Sequence, residues 1–130
     1  MTSTRPTPLG VTHGRLARCP AASNCVSTQA DDAEHRIEPF PFSGPAATAL
    51  QRLKAVISRQ PRMKIVSETE NYLHLEAKSF LFRFVDDVEF FADETAGLLH
   101  FRSASRLGSY DFGVNRKRME TIRAEWKKKG

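Results

Sequence analysis

Two rhythms of apolar and polar positions run through the chain from residue 35 onward. Leu50, Leu53, Val56 and Ile57 recur at three- and four-residue spacing, with Gln51, Arg52, Lys54 and Arg59 on the other side. That pattern predicts an amphipathic helix over 46–58. Ser43 fits as its N-cap, Pro45 falls in the first turn, and Pro61 stops it. Strands are expected over 62–69, 72–77, 82–92 and 98–105, with turns at Glu70–Asn71 and at 94–97. The stretch HRIEPFPF over 35–42 reads as a short edge strand, since Pro39 and Pro41 have no N–H to give a ladder. Met119, Ile122 and Trp126 form a narrow apolar stripe on a last helix over 115–128. Residues 1–34 carry neither period. Residues 1–15 are expected to be a mobile N-terminal segment, and 16–130 a single globular domain. The order β-α-β-β-β-β-α predicts an α+β fold: an antiparallel sheet of about five strands with two helices packed on one face.

A regular hairpin between 82–92 and 98–105 sets Phe90 opposite Phe101, Val88 opposite Ser103, Asp86 opposite Ser105 and Glu89 opposite Arg102. Phe80, Phe82, Phe84, Val88, Phe90, Leu99 and Phe101 then share one face, the expected core face, together with Asp86, Ser103 and Ser105. Arg83, Asp87, Glu89, Arg102 and Arg106 take the other face and read as a solvated ion-pair ladder. A bulge at Asp86–Asp87 would exchange some of these roles.

Charge changes the picture only at the C-terminus. The net charge of the 130 residues is +5, and residues 115–130 hold seven bases against two acids, leaving the rest balanced. The excess therefore reads as a solvated helix face whose terminal lysines complement the dipole, and nucleic acid is not the expected partner. No window approaches the ~18 apolar residues of a membrane span. MTSTRPTPLG has no apolar stretch of the kind a leader needs, so the chain as written reads as cytoplasmic.

The chemistry-bearing groups gather between 80 and 118. Arg116, Lys117 and Arg118 occupy the first turn of the last helix, where the dipole disfavours positive charge. They call for a negative partner: Asp86, Asp87 or Asp111, or a bound anion held by Arg102, Ser103, Ser105, Arg106, Asn115 and Arg116. Asp86 and Asp111 are the candidates for a general acid or base. Cys19 and Cys25 are structural, as free thiols or as a disulfide closing a small loop, and fit no zinc pattern. His13, His35, His74 and His100 are scattered with no carboxylate or Cys at ligand spacing, and no nucleotide, P-loop or hydrolase fingerprint is present. No metal and no cofactor are expected.

At CPAASNCVSTQA, FVDDVEF and RSASRLGSYDFGVNRKRMETI the chain resembles a widespread bacterial and plastid family known as domain of unknown function 1499. The family pattern runs C-P-x-S-P-N-C-V-S-S, F-x-D-D-V-E-F and R-S-A-S-R-x-G-x-x-D-x-G-x-N-R-x-R. This chain departs from it at Ala22–Ser23 and at Thr28. The resemblance covers Cys19 to Ile122 and implies membership with no settled activity. It maps the family motif onto Asn24, Cys25, Ser27, Asp86, Asp87, Glu89, Arg102, Ser103, Ser105, Arg106, Gly108, Asp111, Gly113, Asn115, Arg116 and Arg118. Many family members resemble exported or membrane-anchored proteins, which implies a disulfide and a periplasmic or membrane-associated location once a leader is removed.

Three functional readings follow. The first is a module binding an anionic or amphipathic small molecule between sheet and loops. The second is a structural or protein-interaction domain whose DDVEF, RSASR and GVNR segments form an internal ion-pair and capping network. The third is a small enzyme using Asp86 or Asp111 as general acid or base.

Overall fold

The hairpin register read from the chain is the one observed. The computed structural model describes residues 9–21, 24–78, 85–106 and 113–129. Phe80, Phe82, Arg83, Phe84, Gly108 and Asp111 lie outside the described residues. Strand β7 (Val85–Asp93) pairs antiparallel with β8 (Leu98–Ser105), setting Phe90 against Phe101, Asp86 against Ser105 and Glu89 against Arg102. Pairing runs through Asp86 and Asp87 without a bulge. The register shift in the sheet falls instead between Ile65 and Ser67 on the edge strand β5 (Met63–Glu68).

Six strands make the main sheet, one more than expected. Its order is β3-β8-β7-β6-β5, where β3 is Cys25–Ser27 and β6 is Tyr72–Lys78, and β4 (Phe40–Pro41) also pairs with β8. β3 escaped the sequence because Cys25, Val26 and Ser27 are all buried and show no alternation. The expected strand over 35–42 shrinks to two residues. A separate hairpin joins β1 (Val11–Thr12) to β2 (Arg15–Leu16) through His13 and Gly14, whose φ values of 52° and 73° suit a tight two-residue turn.

Both helices pack on the apolar face of the sheet. Helix α1 (Ala46–Ile57) turns Ala49, Leu50, Leu53, Val56 and Ile57 inward, and α2 (Val114–Lys129) turns in Met119, Ile122 and Trp126. Phe40 bridges the layers, with its ring 4.8 Å from Phe101 and 5.6 Å from Trp126. Burying each such side chain stabilises by about 2 kcal/mol. The N-cap of α1 differs from expectation: Pro45 occupies the position without a side-chain bond, and the Glu94 carboxylate accepts from Ala46 N–H at 2.6 Å in place of Ser43. A carboxylate there also favours the helix dipole. Gly97, at φ 68°, closes the β7–β8 turn, where a Cβ would stand 2.9 Å from the Phe42 carbonyl oxygen.

The second face of the sheet is not solvated. Asp87 and Glu89 are fully buried, and Arg102 is 7% exposed. At Glu89 and Arg102 the expected ion-pair ladder is covered by the segment carrying the β1–β2 hairpin. Gln29 holds that hairpin through Leu16 N–H at 2.8 Å and the Gly14 carbonyl at 3.0 Å, and a Cys19–Cys25 disulfide ties the segment to β3. Cys25 pairs with Ala104, so by strand parity it lies on this second face.

Candidate functional site

Strands β7 and β8 carry two polar clusters, one on each face of the sheet. On the helix side, Asn115 in the first turn of α2 is fully buried. Its Oδ1 accepts from Ser103 Oγ at 2.6 Å and from Arg118 NH1 at 2.8 Å. Its Nδ2 donates to the Asn24 carbonyl at 3.1 Å and to Ser105 Oγ at 3.0 Å. Arg118 then donates through NH2 to Asp86 Oδ2 at 2.7 Å. One asparagine thus joins the residue preceding β3 to β8 and α2, and one arginine joins it to β7.

The over-basic helix start is therefore met from inside the fold. Arg118 takes Asp86, and Arg116 donates to the carbonyls of Arg36 and Glu34, each at 2.9 Å. Of the residues expected to hold an anion, Ser103, Ser105 and Asn115 come together here. Arg102 and Arg106 sit on the opposite face, and Arg116 reaches a loop. Arg118 is one of the three bases expected to need a negative partner, and Asp86 is one of the carboxylates offered for it.

On the second face, Arg106 grips Asp87 with Nε at 2.7 Å from Oδ2 and NH2 at 2.9 Å from Oδ1, and reaches Glu76 Oε2 at 2.6 Å. His74 Nε2 lies 2.7 Å from Asp87 Oδ1. Burial works against the charge on Asp87, yet the bonds from Arg106 and His74 hold its pKa down at about 2. The same bond to Asp87 raises Arg106, against its own burial and with help from Glu76. Beside them Glu89 Oε2 accepts from Tyr72 Oη and from Gly10 N–H, both at 2.6 Å. Burial foremost, then the bond to Glu89, pushes the Tyr72 phenol far up. Sequence reasoning missed Tyr72, His74 and Glu76, because nothing in the chain set the register of β6 against β7.

Glu89 and Arg102 pair loosely. Arg102 NH1 stands 3.7 Å from Glu89 Oε1, beyond hydrogen-bond distance, while Arg102 NH2 donates to the Arg18 carbonyl at 3.3 Å. Among the described residues, Glu89 Oε1 and Arg102 Nε and NH1 are buried without a hydrogen-bond partner. Burial lowers the Arg102 pKa, partly offset by Glu89. Groups of this kind call for an explanation in a folded protein.

A family model described as "Protein of unknown function (DUF1499)" matches residues 15–126. The chain belongs to this family. Both clusters of this DUF1499 protein lie within the match except for Gly10, which precedes it. No curated protein matches the chain. Among the described residues, no helix of the DUF1499 protein is long and apolar enough to cross a membrane.

The histidines are less isolated than their spacing suggested. His74 has Asp87, His100 Nδ1 lies 2.8 Å from Thr28 Oγ1, and His35 bonds Asp32, with Glu34 beside it. Asp32, Glu34 and His35 set three potential ligand atoms within 4.8 Å of one another. The His74–Asp87 pair has the bonding of a base and its orienting carboxylate. His74 is only 3% exposed, however, so the pair faces no open surface.

Proposed function

We propose that this DUF1499 protein acts by binding and interaction rather than by catalysis, with its DDVEF, RSASR and GVNR segments as an internal frame. One observation carries this reading. Arg106, Asn115 and Arg118 direct their donors to partners within the fold, namely Asp87 and Glu76, then Asn24 and Ser105, then Asp86. Asp86, the described candidate for general acid or base, is committed to Arg118, which supports the frame over the enzyme. The disulfide supports an oxidising compartment as the place of action.

The test compares Arg106→Ala with the native chain in thermal melts, each with and without phosphate and a panel of lipids and metabolites. The frame reading expects a Tm lower by about 10 °C and an unchanged ligand response. A native-like Tm together with lost ligand protection would overturn it, since functional residues are often suboptimal for folding.

A second reading is favoured by the unpartnered atoms of Glu89 and Arg102. They match a group offering a donor and an acceptor side by side, as an amide does, between the N-terminal segment and the sheet. Its test is a panel of amides: a member that raises the Tm of the native chain but not of Glu89→Gln supports it, and no shift removes it.

A further inference from the structure

At the other edge of the helix layer a groove of about 530 Å³ opens, lined chiefly by Pro41, Phe42, Arg52, Arg123, Trp126 and Lys127. That volume is within the range of small-molecule sites, roughly 300–1,000 Å³. Among the described residues three bases and no acid line it.

The charges are unequally answered. Arg123 is paired with Glu120 at 2.8 Å and donates to the Glu38 carbonyl at 2.7 Å. Arg52 lies over the Trp126 ring at 3.7 Å and donates to the Trp126 carbonyl at 2.6 Å, which fixes its guanidinium against the aromatic wall. Among the described residues neither Arg52 nor Lys127 has a carboxylate within ion-pair distance. Arg52 Nε is buried with no hydrogen-bond partner among the described residues. Lys127 also complements the C-terminal dipole of α2. The dipole explains a base on the last turn of α2; it does not explain why the cation of α1 joins it over an apolar wall.

We infer that this groove binds a single-chain carboxylate amphiphile, its anionic head met by Arg52 and Lys127 and its apolar body lying along Pro41, Phe42 and Trp126. Complementarity selects the ligand. A pair of cations with no carboxylate partner among the described residues favours a carboxylate, and the aromatic wall favours a chain long enough to cover it. The site shares no side chain with the motif frame, so it stands or falls separately from the reading above.

Calorimetric titration of the full chain with octanoate tests the inference, with acetate supplying the charge alone and octyl glucoside the tail alone. Expected is saturable binding of one octanoate per chain, with acetate and octyl glucoside each about tenfold weaker or more. Lys127→Glu should weaken octanoate by about tenfold, while Lys64→Glu, on the exposed side of β5, should leave it unchanged. If Lys127→Glu fails to fold, Lys127→Ala carries the same comparison. Trp126 is the only tryptophan of the chain, so its emission must shift along the same isotherm. Absence of saturable heat, equal affinity in the Lys127 variant, octyl glucoside binding as tightly as octanoate, or unchanged Trp126 emission would each overturn the assignment.

Discussion

Asp86 on β7 and Arg118 on α2, thirty-two residues apart, meet at 2.7 Å with side chains 5% and 10% exposed. Each would be costly to bury alone, and each is the other's answer. Removing one partner of such a pair leaves the other unpaired in the interior, a loss of about 3 kcal/mol. Asp86→Asn and Arg118→Met should each lose about that much in urea unfolding. The double variant Asp86→Asn/Arg118→Met should be more stable than the sum of the two losses allows. Strict additivity would show that the contact is not an energetic pair.

Asp87 predicts acid sensitivity. Its pKa is held at about 2 against an ordinary 3.8. The unfolded chain therefore binds more protons than the native one between those values. This contribution, about 2 kcal/mol, is fully present above pH 4 and is lost as the pH falls toward 2. Asp87→Asn should flatten the fall in stability between pH 4 and 2 (about one proton's worth in the slope), read by urea midpoints at each pH. An unchanged slope in the variant would count against the Arg106–Asp87–His74 arrangement.

Tyr72 predicts the opposite limb. The folded state keeps its phenol protonated far above the ordinary value of 10.0, while the unfolded chain releases that proton near it. Stability from this group is thus present below pH 10 and declines as the pH rises beyond it. The chain has two tyrosines, and phenolate absorbance for Tyr72 should appear only together with loss of far-UV circular dichroism. Tyr72→Phe should remove that coincident component. If the absorbance that Tyr72→Phe removes instead rises before the circular dichroism is lost, the burial assigned to Tyr72 is wrong.

The disulfide should matter more to one face than to the other. Cys19 and Cys25 close a short loop, with a sequence separation of 6, and such a loop is worth about 2 kcal/mol through the unfolded state. The Cys19→Ser/Cys25→Ser variant should melt lower by that amount. Hydrogen exchange should quicken first at Gly10 and through 15–18, where the segment covers Glu89 and Arg102, while the buried face of α1 stays protected. Uniform acceleration across the chain would mean that the bond supports the whole fold equally.

Period and parity were enough to find both helices, the four long strands and the β7–β8 register, because each depends on residues close in sequence. They also placed Asp86, Ser103 and Ser105 together on the helix side, since side chains two apart share a face. They left open which of Arg116, Lys117 and Arg118 would meet Asp86, because that depends on where α2 docks across the sheet. They sent Asp87, Glu89, Arg102 and Arg106 to water, and here tertiary structure decided otherwise. A segment with no periodicity lies over Glu89 and Arg102, held by a disulfide and by contacts such as Gly10 to Glu89, 79 residues apart, while Asp87 and Arg106 are closed in with His74 and Glu76. Alternation tells which residues share a face. Whether that face meets water depends on what the rest of the chain lays over it, and a non-repeating cover leaves no periodic trace.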